Sequence, residues 1–84
     1  MKPRIEVHLW SGLRAHTGGA EVVTVEAENI GQMLAALRRD WPGLAPALDA
    51  GVSVSVDGRV IATSLTEPLA EGQEIYLMQR LKGG

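Results

Sequence analysis

The sequence has no cysteine in its 84 residues, which removes disulfide staples, thiolate ligands for zinc or iron–sulfur clusters, and a thiol nucleophile together. An apolar core alone must hold the fold. Positive charge is also short. Eight Lys and Arg stand against ten Asp and Glu, for a formal charge of −2, and the dense positive field that counterion release from nucleic acid needs is missing. Nucleic acid is therefore not an expected partner. No apolar run is long enough to span a bilayer, and the opening MKPRIEVHLW carries Lys2, Arg4, Glu6 and His8 where a secretory signal needs unbroken apolar residues. These absences predict a cytoplasmic protein with no membrane partner. Internal repeats and low-complexity stretches are lacking too, so one small domain is expected.

What is present is a 45% hydrophobic share, arranged with two different periods. In RIEVHLW the apolar Ile5, Val7 and Leu9 alternate with Arg4, Glu6 and His8, the period of a strand with one face on a core. AEVVTVEA repeats the β-branched enrichment, and the two glycine breaks in SGLRAHTGGA between them predict a hairpin with a loose loop, from which Leu13 plugs the core. NIGQMLAALRRD changes period: Ile30, Met33, Leu34 and Leu37 line one face of a helix. Asn29 and Gln32 form a capping-box pair at its start, Arg38 and Arg39 complement the dipole in its last turn, and WPG stops it.

After a further loop, GVSVSV puts Val52, Val54 and Val56 on one face and Ser53 and Ser55 on the other. Asp57-Gly58 predicts a tight hairpin turn into the short return strand RVIA. TSLTEPLAEGQ is a turn-rich connection with Leu65 and Leu69 as inward anchors. In the last strand, EIYLMQR, Ile75 and Leu77 face the core while Tyr76, Met78 and Arg80 face away. The order β-β-α-β-β-β predicts an α+β, two-layer domain: a β-grasp (ubiquitin-like) fold with a mixed sheet covered on one face by a single helix. The last strand is apolar enough to return to the middle of the sheet. Residues 1–80 make the domain, and residues 81–84 a flexible Gly-Gly tail.

The order of elements and the closing Gly83-Gly84 resemble the MoaD/ThiS family of ubiquitin-like sulfur carrier proteins. VSVDGRVI, LTEPLAEGQEIYLM and the terminal pair match the family's strand, turn, connection and last strand, and VHLWSGLRAHTGG resembles its first strand and Leu-Arg loop. The likeness covers almost the whole chain. The molybdopterin branch carries paired prolines before its terminal residues, whereas this chain reads Gln79, Arg80, Leu81 and Lys82, so the likeness is to the broader carrier class. It implies that Gly84 bears a carboxylate that an E1-like adenylating enzyme, using ATP, converts to an acyl-adenylate and then a thiocarboxylate. A sulfur-acceptor synthase subunit, of molybdenum cofactor (molybdopterin) or thiamine (thiazole) biosynthesis or a related pathway, would then take the sulfur. On this view the protein binds no cofactor itself, is a cosubstrate rather than an enzyme, and is a monomer when free. A ubiquitin-like protein modifier or a non-catalytic interaction module are the alternatives.

A carboxylate is a poor electrophile, so acyl chemistry at Gly84 needs activation by a partner, and the end must be narrow enough to enter that partner's site. Gly83 and Gly84 lack Cβ atoms and meet this demand. The rest of the chain offers no catalytic set. His8 and His16 lack metal-ligand spacing, Ser11, Ser53, Ser55 and Ser64 lack a nucleophile elbow, and HTGGAE lacks the spacing of a phosphate loop. No metal is expected. If the first and last strands pair, however, His8, Trp10, Tyr76 and Met78 become neighbours on the uncovered face of the sheet, a predicted docking surface. Arg80 and Lys82 flank the tail, where they can steer it toward an acidic channel.

Overall fold

The alternation of RIEVHL becomes strand β1 (Arg4–Leu9), in which Ile5, Val7 and Leu9 are buried and Arg4 and Glu6 exposed. The computed structural model describes residues 2–61 and 65–79. The predicted tail, with Lys82, Gly83 and Gly84, and Arg80 before it lie outside them. Strand β2 (Val22–Glu26) runs antiparallel to β1, with Val7 opposite Val23 and His8 opposite Val22. Strand β3 (Val52–Val56) turns through Asp57-Gly58 into β4 (Arg59–Ile61). Both turn residues have positive φ, 50° and 84°, the mirror-image turn whose twist suits a hairpin and which glycine adopts without penalty.

Strand β5 (Ile75–Gln79) closes the sheet by inserting between β1, to which it is parallel, and β3, to which it is antiparallel. The order is β2-β1-β5-β3-β4. Ile75 and Leu77 have no exposure, which is why the last strand must sit in the middle: apolar on its inner face, it gains backbone partners on both edges only there. The long helix α2 (Ile30–Asp40) lies against the inner face and buries Ile30, Met33, Ala36 and Leu37. The result is the mixed, five-stranded β-grasp predicted from the order of elements.

Four local expectations need correction. The connection after β1 is no loose loop but helix α1 (Ser11–Arg14) followed by a 3-10 turn over Ala15–Thr17. Burial of Leu13 pulls this segment under the sheet, and the Arg14 Nε–H and Thr17 hydroxyl fix it by donating to the carbonyls of Leu9 (3.0 Å) and Arg14 (3.1 Å). After α2, the chain makes a 3-10 turn over Pro42–Leu44 and a further helix, α3 (Ala45–Ala50), instead of a loop. Leu44 and Ala47 extend the core beneath it, and Pro46 in its first turn lacks only an N–H that a helix start leaves unpaired. The single covering helix therefore has two short companions.

Leu65 is not an inward anchor, since its side chain is 57% exposed; its carbonyl is what matters, accepting the Gly31 N–H at 2.8 Å at the start of α2. Leu69 alone of the two is buried. The cap of α2 also differs in one bond. Asn29 Oδ1 accepts the Gln32 N–H at 2.8 Å as expected, but Gln32 Oε1 reaches one residue further back, to the Glu28 N–H at 2.9 Å. The loop from β4 supplies other partners there, with the Glu67 carbonyl accepting from Ile30 at 3.1 Å.

Candidate functional site

Helices cover one face of the sheet and leave the other bare. Because side chains alternate along each strand, the registers place Val22 (β2), His8 (β1), Tyr76 (β5), Ser55 (β3) and Val60 (β4) in one row across all five strands of the bare face. His8 and Tyr76 stack, with ring centroids 4.8 Å apart and planes inclined by 25°. Tyr76 is 37% exposed and Val60 63%, while Ser55, between them on β3, is buried by its taller neighbours.

A second row follows toward the end of β5. Met78 lies opposite Ser53, and the Trp10 N–H donates to the Leu77 carbonyl at 3.2 Å, holding the start of the α1 segment beside β5. The indole is 51% exposed. The structure thus brings His8, Trp10, Tyr76 and Met78 onto one face and one end of the sheet. Since β1 and β5 are parallel, this is also the end at which β5 delivers the chain toward residues 80–84. Covalent geometry limits five further residues to roughly 18 Å from Gln79, whatever path they take.

The opposite end of the same face has another character. Arg4, Glu6, Thr24 and Glu26 occupy it, and with Arg39 and Asp40 they line an open groove at the β2 edge. Its lining mixes two arginines with three carboxylates. Among the described residues no three His, Cys, Asp or Glu side chains converge as a metal site, and no helix is long and apolar enough to cross a membrane. His16, on the short 3-10 turn, is exposed and takes no part in the face.

Sequence reading missed three members of the row: Val22, Ser55 and Val60. The alternation in VVTVE, with Val23 and Val25 inward, already turns Val22 outward, but which strand lies beside it is a tertiary fact. On the helical side, Arg38 Nη2 donates to Asp49 Oδ1 at 2.7 Å, joining α2 to α3. This hydrogen bond, reinforced by the guanidinium charge, holds the Asp49 carboxyl below the usual carboxylate range. Asp40 is lowered by Arg39 in the same way. Both pairs are exposed, and neither includes a residue of the row from Val22 to Val60.

No protein-family model matches the sequence, and no curated protein matches it. Solved structures do match its architecture. The small archaeal modifier protein 1 of Methanosarcina acetivorans superposes with a TM-score of 0.83 at 19% identity, over 100% of this chain and 99% of that one. A chain of the complex of subunits 1 and 2 of molybdopterin-converting factor from Helicobacter pylori gives 0.71 at 22%, over 96% and 99%. A chain of the BexX/CysO complex of Amycolatopsis orientalis gives 0.75 at 18%, over 94% and 98%. These neighbours come from the ubiquitin-like carrier and modifier group that the motifs resemble. At such identities the likeness establishes the fold alone, a β-grasp.

Proposed function

We propose that this protein is a sulfur carrier whose Gly84 carboxylate is activated by an E1-like enzyme and converted to a thiocarboxylate for a biosynthetic acceptor. The observation that carries the reading is a juxtaposition: the apolar end of the bare face, with His8, Trp10, Tyr76 and Met78, is the end from which β5 leads toward Gly83 and Gly84. A partner seated on that face needs its nucleotide site within roughly 18 Å of Gln79 to meet the carboxylate. The Gly84 carboxylate attacks the α-phosphate of ATP on the partner and pyrophosphate leaves; a partner persulfide then displaces AMP from the acyl carbon to give an acyl disulfide, and a second partner thiol attacks the partner-side sulfur, releasing the Gly84 thiocarboxylate and leaving a disulfide on the partner, since this chain has no cysteine of its own. Arg80 and Lys82, beside the reacting end, offset the negative charge that gathers there. The protein itself binds no cofactor in this scheme and is a cosubstrate.

Two structural neighbours support the partner requirement, since both are chains of protein–protein complexes, one with a molybdopterin-converting factor subunit and one with BexX. The archaeal neighbour is a modifier by name, which favours a second reading in which the same activated carboxylate joins amines of other proteins. Removing Gly84 tests both. We expect the truncated protein to keep its urea midpoint and its binding to an activating partner while losing all acyl or sulfur transfer. Transfer that survives the deletion would leave only the interaction-module reading. Intact-mass analysis of protein from its native host, where one terminal oxygen is replaced by sulfur in a carrier, separates carrier from modifier.

A further inference from the structure

Strand β2 lies at one edge of the sheet, and its pairing with β1 leaves half of its backbone facing outward. In an antiparallel pair, residues that exchange hydrogen bonds alternate with residues that do not. The Leu9 N–H donates to the Glu21 carbonyl at 2.8 Å and the Ala27 N–H to the Pro3 carbonyl at 3.1 Å, so within β2 the bonds to β1 belong to Val23 and Val25. The N–H and C=O groups of Val22, Thr24 and Glu26 therefore point away from β1, and no other described residue pairs with them. All three residues are exposed.

The devices that blunt a sheet edge are mostly missing here. VVTVE contains no proline or lysine, and its register with β1 runs from Glu26 to Val22 without a bulge. Its one charge, Glu26, sits opposite Arg4 of β1. The edge at β4 is shorter, Arg59–Ile61. Along β2 the open groove is lined by Arg4 and Arg39 together with Glu6, Glu26 and Asp40. Both signs side by side make an edge that a two-fold mate can complement, whereas a groove of one sign would repel its own copy.

We infer that β2 is a homotypic docking edge: a second copy of this chain adds its own β2 antiparallel to the first, about a two-fold axis through Thr24. Thr24 of one copy then faces Thr24 of the other and Val22 faces Glu26, so every outward residue finds a partner and each pair exchanges its N–H···O=C bonds. A shift of register in either direction leaves one of the three without a β2 partner. The Thr24 pair is a favourable cross-strand neighbour on the bare face, and on the helical face Val23 comes opposite Val25. The two sheets become one, with helices on one side and both bare faces on the other. Because the mate runs antiparallel, its docking end with His8, Trp10, Tyr76 and Met78 lies at the opposite end, and neither copy covers that of the other. Five residues a side make an interface well below the standard size, so the protein is a monomer when dilute and pairs between roughly 0.1 and 1 mM.

Sedimentation of the unmutated protein from roughly 50 μM to 1 mM reads the association, and amide hydrogen exchange followed by NMR locates it. We expect the Val22, Thr24 and Glu26 amides to exchange about threefold more slowly at the top of that range than at the bottom, in step with the dimer fraction, while the amides of β4 do not change. Thr24→Pro removes the central outward N–H but none of the bonds to β1, and should give a folded monomer at every concentration. Thr24→Lys, which sets two ammonium groups opposite each other, should do the same. A dimer whose concentration-dependent amides lie on β4 or β5, or one that persists in folded Thr24→Pro or Thr24→Lys protein, would overturn the inference. So would a protein that stays monomeric to about 1 mM, which leaves the edge to an extended segment of another protein. Neither readout involves Gly84 or an activating enzyme, so the outcome is independent of the carrier reading.

Discussion

The two faces of the sheet are built from the same strands, yet they answer to different demands. On the inner face Val7, Leu13, Met33, Leu37, Leu44, Ile75 and Leu77 have no exposure, and every apolar group there touches another. On the outer face the residues of the same strands, one position along, leave Val22, Val60 and Tyr76 in water, with Trp10 just past the end of β1. Burying side chains of the Val or Leu kind contributes roughly 1.5–3 kcal/mol each, so the inner face accounts for the fold. The outer face keeps apolar surface that folding does not use, and its concentration at the end where β5 finishes fits surface held for a partner.

The sharpest way to break this division is to compare truncations on opposite faces. Leu13→Ala should cost about 2–5 kcal/mol, the range for emptying a fully packed site, read as a lowered urea midpoint. A loss well under 1 kcal/mol would mean that the α1 segment is not part of the core. Next comes Gly43, in the turn between α2 and α3. An added Cβ there would sit 2.8 Å from the His16 carbonyl oxygen, a backbone atom that cannot step aside, so Gly43→Ala should cost roughly 1–3 kcal/mol by forcing the two turns apart. Unchanged stability would show that the covering layer is looser than its packing.

Tyr76→Ala on the outer face should cost about 1 kcal/mol or less in stability, the scale of a cross-strand pair, while removing most of the affinity for an activating partner in a binding titration. A variant that unfolds but binds when folded would reverse the roles assigned to the faces. The smallest effect belongs to the Arg38–Asp49 pair. The folded-state pKa of Asp49 is lowered by that hydrogen bond, so its contribution to stability is present above the ordinary carboxylate range and is lost as pH falls through the lowered value. Asp49→Asn should therefore lower the urea midpoint slightly near neutral pH and leave it unchanged in strong acid. A difference that grows on acidification would contradict the sign.

Much of this was readable in the chain. Period two in RIEVHL and VSVSV, period 3.6 across Ile30, Met33 and Leu37, the Asn29 cap and the Asp57-Gly58 turn are local signals, and each involves residues only a few positions apart. Segments whose structure depends on distant partners were not readable. SGLRAHTGG looks like a loop because glycine dominates it, and it coils into α1 because Leu13 has a core to enter. APALDA carries too few large apolar residues to announce a helix, and α3 forms over Leu44 and Ala47 beneath it. Leu65 reads as an inward anchor in the sequence, yet its backbone carbonyl rather than its side chain holds the start of α2.

The order of the elements, the face each residue takes within its own element, and the absence of cysteine were determined by the sequence itself, since alternation, helical period and composition are properties of neighbouring residues or of counts. Tertiary structure decided which strands lie side by side. Only the parallel entry of β5 between β1 and β3 stacks His8 on Tyr76, completes the row from Val22 to Val60, and leaves β2 at the edge of the sheet. Strand pairing joins residues some seventy positions apart, and no local pattern encodes a partner at that separation; the burial of Ile75 and Leu77 in the middle of the sheet selects it.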